Sequence, residues 1–233
     1  LPTLTPGFWF WVSIGGLTQV IFTVALITLF NHRNFVAGTA FSKTEVLQAA
    51  IFEALIIGEF VSLQVGTAIT IGVLAVLMLS FHKTEAGLRG LLTAFTSYQS
   101  LLGLVAGAFL GLSTVSFRAA TDALVTGDVI LRASISAATS TILQTVVMGI
   151  ALLFFAKQEL SLSFAHWRRA WPVGLFGAIT TACWFTAFSL HNVASVRAVG
   201  QIELIITLGV SALIFRERVT RIEIVAIALL AFS

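Results

Sequence analysis

Two glutamates, Glu45 and Glu203, stand inside long apolar runs and are the residues best placed to do chemistry. Each lies about ten residues into a stretch that reads as a membrane helix, and at about 1.5 Å of rise per residue that is near the bilayer midplane. An ionisable group at such depth costs about 2.5–3.5 kcal/mol to insert, so it faces a cavity or a partner. There a carboxylate can hold a cationic substrate group or exchange a proton. Around the pair, Lys43 sits two residues before Glu45, and Gln201 holds the matching place before Glu203. Gln48 and Glu53 follow Glu45 on about the same helical face. For Lys43 and Glu53, a cavity-facing role and a structural ion pair both remain open. Arg197 is placed to snorkel toward an interface.

A purely structural reading competes. Ser42-Lys43-Thr44-Glu45 has the form of a capping box, with Ser42 as N-cap and Glu45 three positions on, and Gly200-Gln201-Ile202-Glu203 is a weaker copy. A helix interrupted near Ser42 and near Gly200, at membrane depth, satisfies both readings.

Other polar groups are spread through the apolar runs. Tyr98, Gln99 and Gln144 are too large to dismiss as packing hydroxyls, and Trp184, in mid-helix, either walls a cavity or faces lipid. The many Ser and Thr side chains of the same helices serve close helix packing. Glu59 and Glu217 close their helices, where the macrodipole disfavours an acid. They read as ties of tight helix–helix turns, with Ser62 and Thr220 capping the helices that follow. Cys183 has no partner and reads as a small core residue. His32, His82, His166 and His191 lie at loops or helix ends without metal spacing, and no catalytic constellation or phosphate loop is present. The chemistry expected is binding and translocation, with no enzyme activity, metal or cofactor.

The elements that must position these groups are membrane helices. Hydrophobic residues make up 58% of the 233 and charged residues 10%, against roughly 25% charged in a soluble domain. Eight apolar segments are expected, near 8–30, 36–60, 64–81, 91–116, 130–156, 170–190, 194–215 and 219–233, with Trp9, Trp11, Trp167 and Trp171 at ends where an aromatic belt lies. The small basic excess sits in loops, which concerns orientation and not nucleic acid.

A displacement of 158 positions superimposes residues 31–63 on 189–221 without a gap. It matches Asn34 with Asn192, Glu45 with Glu203, and Glu59 with Glu217 in a chain that has only eight Glu. The second and seventh expected helices correspond, five apart, so they cross the membrane in opposite senses as an inverted repeat does. The fourth and fifth helices find no counterpart. The expectation is an all-α membrane protein of ten helices, eight visible: residues 1–81 hold three helices of the first five-helix unit and 82–233 the whole second unit. Leu1 in place of Met, and an eighth helix that stops at Ser233, suggest a chain cut at both ends.

The segments ending Gly58-Glu59 and Arg216-Glu217-Arg218-Val219-Thr220, each followed by an apolar helix, resemble EamA-type members of the drug/metabolite transporter superfamily. Residues 198–231 carry the closest likeness, 16–80 echo it, and Arg118 resembles the basic exit of the family's sixth helix. The resemblance implies two inverted five-helix halves in the inner membrane. It also implies export or exchange of small metabolites, and a cavity lined by the first, second, fourth, sixth and seventh helices seen here. Many members have Pro where this chain has Glu45 and Glu203, which makes those acids candidates for specificity. Basic residues favour the loops after the first, third, fifth and seventh helices. The positive-inside rule makes that side cytoplasmic, whereas family members with cytoplasmic termini place it outside.

The function expected is a secondary transporter of a small metabolite working by alternating access in a lipid bilayer, with protons as a possible co-substrate. A non-transporting membrane scaffold with polar packing groups is the alternative, and a channel a third.

Overall fold

A computed structural model describes residues 2–31, 35–82 and 97–203, and the single positions 206, 225 and 229. Among the described residues every regular element is helical: α1 (Pro6–Phe30), α2 (Phe35–Ser42), α3 (Glu45–Ile56), α4 (Leu63–His82), α5 (Tyr98–Asp122), α6 (Val129–Phe155), α7 (Lys157–Ala165), α8 (Trp167–Leu190) and α9 (Val193–Gly200). Four of them, α1, α5, α6 and α8, are long and apolar enough to cross a membrane. Large apolar side chains remain exposed along α6 and α8, among them Ile142, Val146, Phe154, Phe176 and Ile179. Water would not tolerate such faces, and lipid does. The chain is an all-α, multi-pass membrane protein.

Local chemistry sets the helix starts. Thr5 precedes Pro6, whose fixed φ and missing N–H suit a first helical position, and the Thr5 hydroxyl accepts from Phe8 N–H at 3.1 Å. Asp128 caps α6 by accepting from Leu131 N–H at 2.7 Å. Ser62 caps α4 through Val65 N–H, as its sequence suggested. Gly58, at φ 81°, ends α3 with its N–H on Glu53 O, a left-handed stop that glycine takes without strain.

The interruptions expected near Ser42 and Gly200 are present. The second expected helix, 36–60, is two helices with a turn at Lys43 and Thr44 between them. The seventh, 194–215, begins as α9, turns at Gln201 and is helical again at Ile202, Glu203 and Ile206, while 204, 205 and 207–215 lie outside the described residues. Other expectations change. Lys157-Gln158-Glu159, read as a polar break, opens the short helix α7, all but one of whose residues are exposed. Cys183 is exposed on α8, not in a core. Of the eighth expected helix, 219–233, only positions 225 and 229 are described, both helical; residues 91–96, and Glu217 with the basic residues Arg33, Lys83, Arg89, Arg216, Arg218 and Arg221, lie outside the described residues.

The chain divides into two compact units, residues 1–20 with 113–191, and residues 21–112 with 192–233. In the first, Phe8 and Val12 of α1 pack on Ala120 and Leu124. Phe117 of α5 joins Ala133 and Ala137 of α6 and Phe185 of α8, its ring 4.7 Å from that of Phe185. In the second, Val46 of α3, Ile69 and Val73 of α4 and Ala194 of α9 form the core.

Within this second unit, α5 is drawn against α2 and α3 by glycines spaced four apart. Gly103 meets the backbone of Gly38. A Cβ on Gly107 would stand 2.8 Å from Ser42 O, and one on Gly111 would stand 3.1 Å from Ala49 N. Small residues at this spacing let membrane helices touch backbone to backbone. Gly107→Val is therefore expected to lower stability by about 1–3 kcal/mol through overpacking. Gly149→Ala, where a Cβ meets nothing within 4 Å, is expected to leave it unchanged. SDS-induced unfolding of the two variants, followed by tryptophan fluorescence, checks the difference.

Candidate functional site

The break between α2 and α3 gathers most of the sequence candidates in one place, inside the second unit. Ser42 closes α2 and its hydroxyl donates back to Thr39 O at 2.8 Å. Thr44 donates to Phe41 O at 2.6 Å and makes no side-chain cap on α3. The capping-box reading thus fails: Glu45 is the first residue of α3, and its carboxylate is free of the local backbone for a distant partner. That partner is Arg197 of α9, whose guanidinium donates to Glu45 Oε1. The arginine does not snorkel away, because the acid next to it is almost wholly buried, its side chain 5% exposed against 17% for Arg197.

A second pair crosses the first. Lys43 Nζ donates to Glu203 Oε1 at 2.6 Å, and here the side chains are 31% and 59% exposed. Each glutamate singled out by the repeat takes a cation from the other segment. Lys43 thereby settles as an ion-pair member. The pairs differ in environment: a charge pair open to its surroundings contributes about 0–1 kcal/mol, whereas breaking a buried pair costs about 3–5 kcal/mol.

Beside them, Gln48 donates to Thr44 Oγ1 at 3.1 Å and to Leu104 O of α5 at 3.4 Å, and its Oε1 is buried with no hydrogen-bond partner among the described residues. Gln201 is buried at the turn that ends α9, its N–H on Ala198 O. Tyr98, exposed, and Gln99, half-buried, open α5 in the same unit. Gln144 and Trp184 belong to the first unit. Gln144 donates to Ser140 Oγ one turn back at 2.8 Å, and Trp184 stacks on Phe188 with ring centroids 5.4 Å apart. The candidates are thus not all brought together.

Two acids considered above take partners that the sequence did not mark, and a series of close-packing glycines was not singled out. Glu53, fully buried, accepts from Val193 N–H at 2.7 Å and from Ala194 N–H at 3.3 Å. Glu59 follows Gly58 and accepts from Asn192 Nδ2 at 2.8 Å, which ties the end of α3 to the start of α9. The glycines are those of α5. Their spacing was visible in the sequence as three glycines four apart, and Asn192 was visible as a repeat match. Nothing local marked Arg197 as the partner of Glu45.

The half-helices also agree in length and position. Phe35 and Ser42, the ends of α2, stand 158 positions before Val193 and Gly200, the ends of α9. No group of three or more His, Cys, Asp or Glu arranged for a metal occurs among the described residues.

Comparison with known proteins gives one result. The model of the EamA-like transporter family matches residues 97–233. No curated protein and no solved structure gives a significant match.

Unequal burial predicts unequal mutants. Glu45→Gln and Arg197→Gln are each expected to destabilise by about 3–5 kcal/mol, and the double mutant by less than the two together. Lys43→Gln and Glu203→Gln should each cost under about 1 kcal/mol. SDS unfolding of the six proteins, wild type included, measures the Glu45–Arg197 cycle and the two single substitutions of the other pair.

Proposed function

Because the chain belongs to the EamA-like transporter family, we propose that it is a secondary transporter, working at the crossed ion pairs where α2 and α9 end. In this reading it moves a small metabolite across the inner membrane by alternating access. Residues 1–81 and 82–233 are parts of two inverted five-helix repeats of a ten-helix carrier. The observation that carries the proposal is that two half-helices of equal length, 158 positions apart, stop beside Lys43–Glu203 and Arg197–Glu45. Half-helices that break at membrane depth are the usual way a carrier exposes charge and backbone to its cargo.

Pairing narrows what the cargo can be. The sequence alone suggested acids awaiting a cationic group. With Arg197 already seated on buried Glu45, a ligand carrying only positive charge that displaced it would leave an enclosed cation without its partner, and such orphaning is costly. A small molecule with both a positive and a negative group could replace both members of a pair and leave neither bare. The Lys43–Glu203 pair, the more exposed of the two, is where exchange would begin, and a proton delivered to Glu203 would release Lys43 in the same manner. Gln48, Gln201, Tyr98 and Gln99 are proposed as neighbouring polar groups for such a ligand.

The test is uptake of a metabolite panel, neutral, cationic, anionic and zwitterionic, by proteoliposomes of the full-length protein at several pH values. Zwitterion uptake that falls about tenfold or more in Glu203→Gln and loses its pH dependence is the expected result. Transport and pH profile unchanged in that variant would remove Glu203 from coupling. A protein that moves no member of the panel would be a membrane scaffold.

A further inference from the structure

The short helix α9 carries Arg197, yet it lacks the means to hold its own beginning. Asn192 is at its N-cap position but makes no side-chain cap bond there, since its amide is turned to Glu59. The first N–H groups of a helix have no partner within it and carry the positive end of the dipole. In α6 a local aspartate, Asp128, meets this need. In α9 the need is met from another helix: both carboxylate oxygens of Glu53 accept from Val193 and Ala194 N–H.

We propose that Glu53 is a positioning residue, a cap supplied by α3 that fixes α9 so that Arg197 meets Glu45. The contacts make the lever explicit. Glu53 lies eight residues after Glu45, about 12 Å further along α3. It holds the start of α9, while Glu45 holds Arg197 one turn further on, so the two helices run antiparallel and α3 grips α9 at two points. Between the points, Val46 of α3 packs with Ala194 and Ala198 of α9. Loosening the first point lets the start of α9 fray, and Arg197 is only four residues from it. The position 158 residues after Glu53 is Ser211, so the repeat does not carry this carboxylate over to its second copy. This inference concerns geometry within α3 and α9, and holds or fails whether or not the ion pairs bind a substrate.

A double-mutant cycle read in two backgrounds separates positioning from bulk stability. Coupling between Glu45→Gln and Arg197→Gln is measured by SDS unfolding in the wild-type protein and again in Glu53→Gln. Positioning predicts that the coupling disappears in the Glu53→Gln background, and that hydrogen exchange in the peptide spanning residues 190–200 quickens about tenfold. A second measurement guards against simple misfolding: hydrogen exchange in the peptide spanning residues 129–155 of α6, which has its own cap at Asp128, is expected to stay unchanged in Glu53→Gln. Coupling retained in full despite Glu53→Gln would overturn the proposal. So would exchange that quickens equally in both peptides.

Discussion

A charge carried into an apolar helix must be met by a donor or acceptor that the helix itself cannot provide, and in this chain α3 is where that constraint is resolved. Two of its acids, Glu45 and Glu53, point to α9, one to a guanidinium and one to backbone N–H groups. A third, Glu59, lies just past its end and holds Asn192. The alternative, acids without partners in hydrocarbon, would cost several kcal/mol each. The placement of α9 follows from this requirement, and with it the crossing of the two ion pairs.

Glycine spacing on α5 supplies the other half of the arrangement. In a bilayer, apolar side chains gain little by leaving lipid for one another, so helices associate by close packing and hydrogen bonding. Gly103, Gly107 and Gly111 bring the α5 backbone against the α2–α3 break, close enough for Gln48 to reach the carbonyl of Leu104. The turn at Lys43 and Thr44 is therefore enclosed on one side by backbone. Its hydroxyls bond back to α2 at Thr39 O and Phe41 O, and Lys43 reaches Glu203.

The two pairs differ in burial. Separating Glu45–Arg197 would strand two charges in an enclosed place, whereas Lys43–Glu203 is the more open of the two. In the proposed carrier the first is the rigid reference and the second the contact that a cargo exchanges, two residues apart at Lys43 and Glu45.

Much of this was legible beforehand for definite physical reasons. Lipid-length apolar runs declare membrane helices because the bilayer fixes their length. The repeated Glu45 and Glu203 stood out because acids are so costly in such runs, and the interruption near Ser42 and Gly200 could be read from their sequence. Boundaries were less legible: the polar run Lys157-Gln158-Glu159 looked like a break between helices and instead opens α7. Partners were not legible at all. Arg197 lies 152 residues from Glu45 and Val193 lies 140 from Glu53, and no periodicity connects such distances. The sequence by itself determined that these charges would need compensation, because their burial in hydrocarbon follows from composition. Which group compensates which was decided only when α9 packed antiparallel on α3, because an ion pair depends on separation in space and a sequence records only separation along the chain.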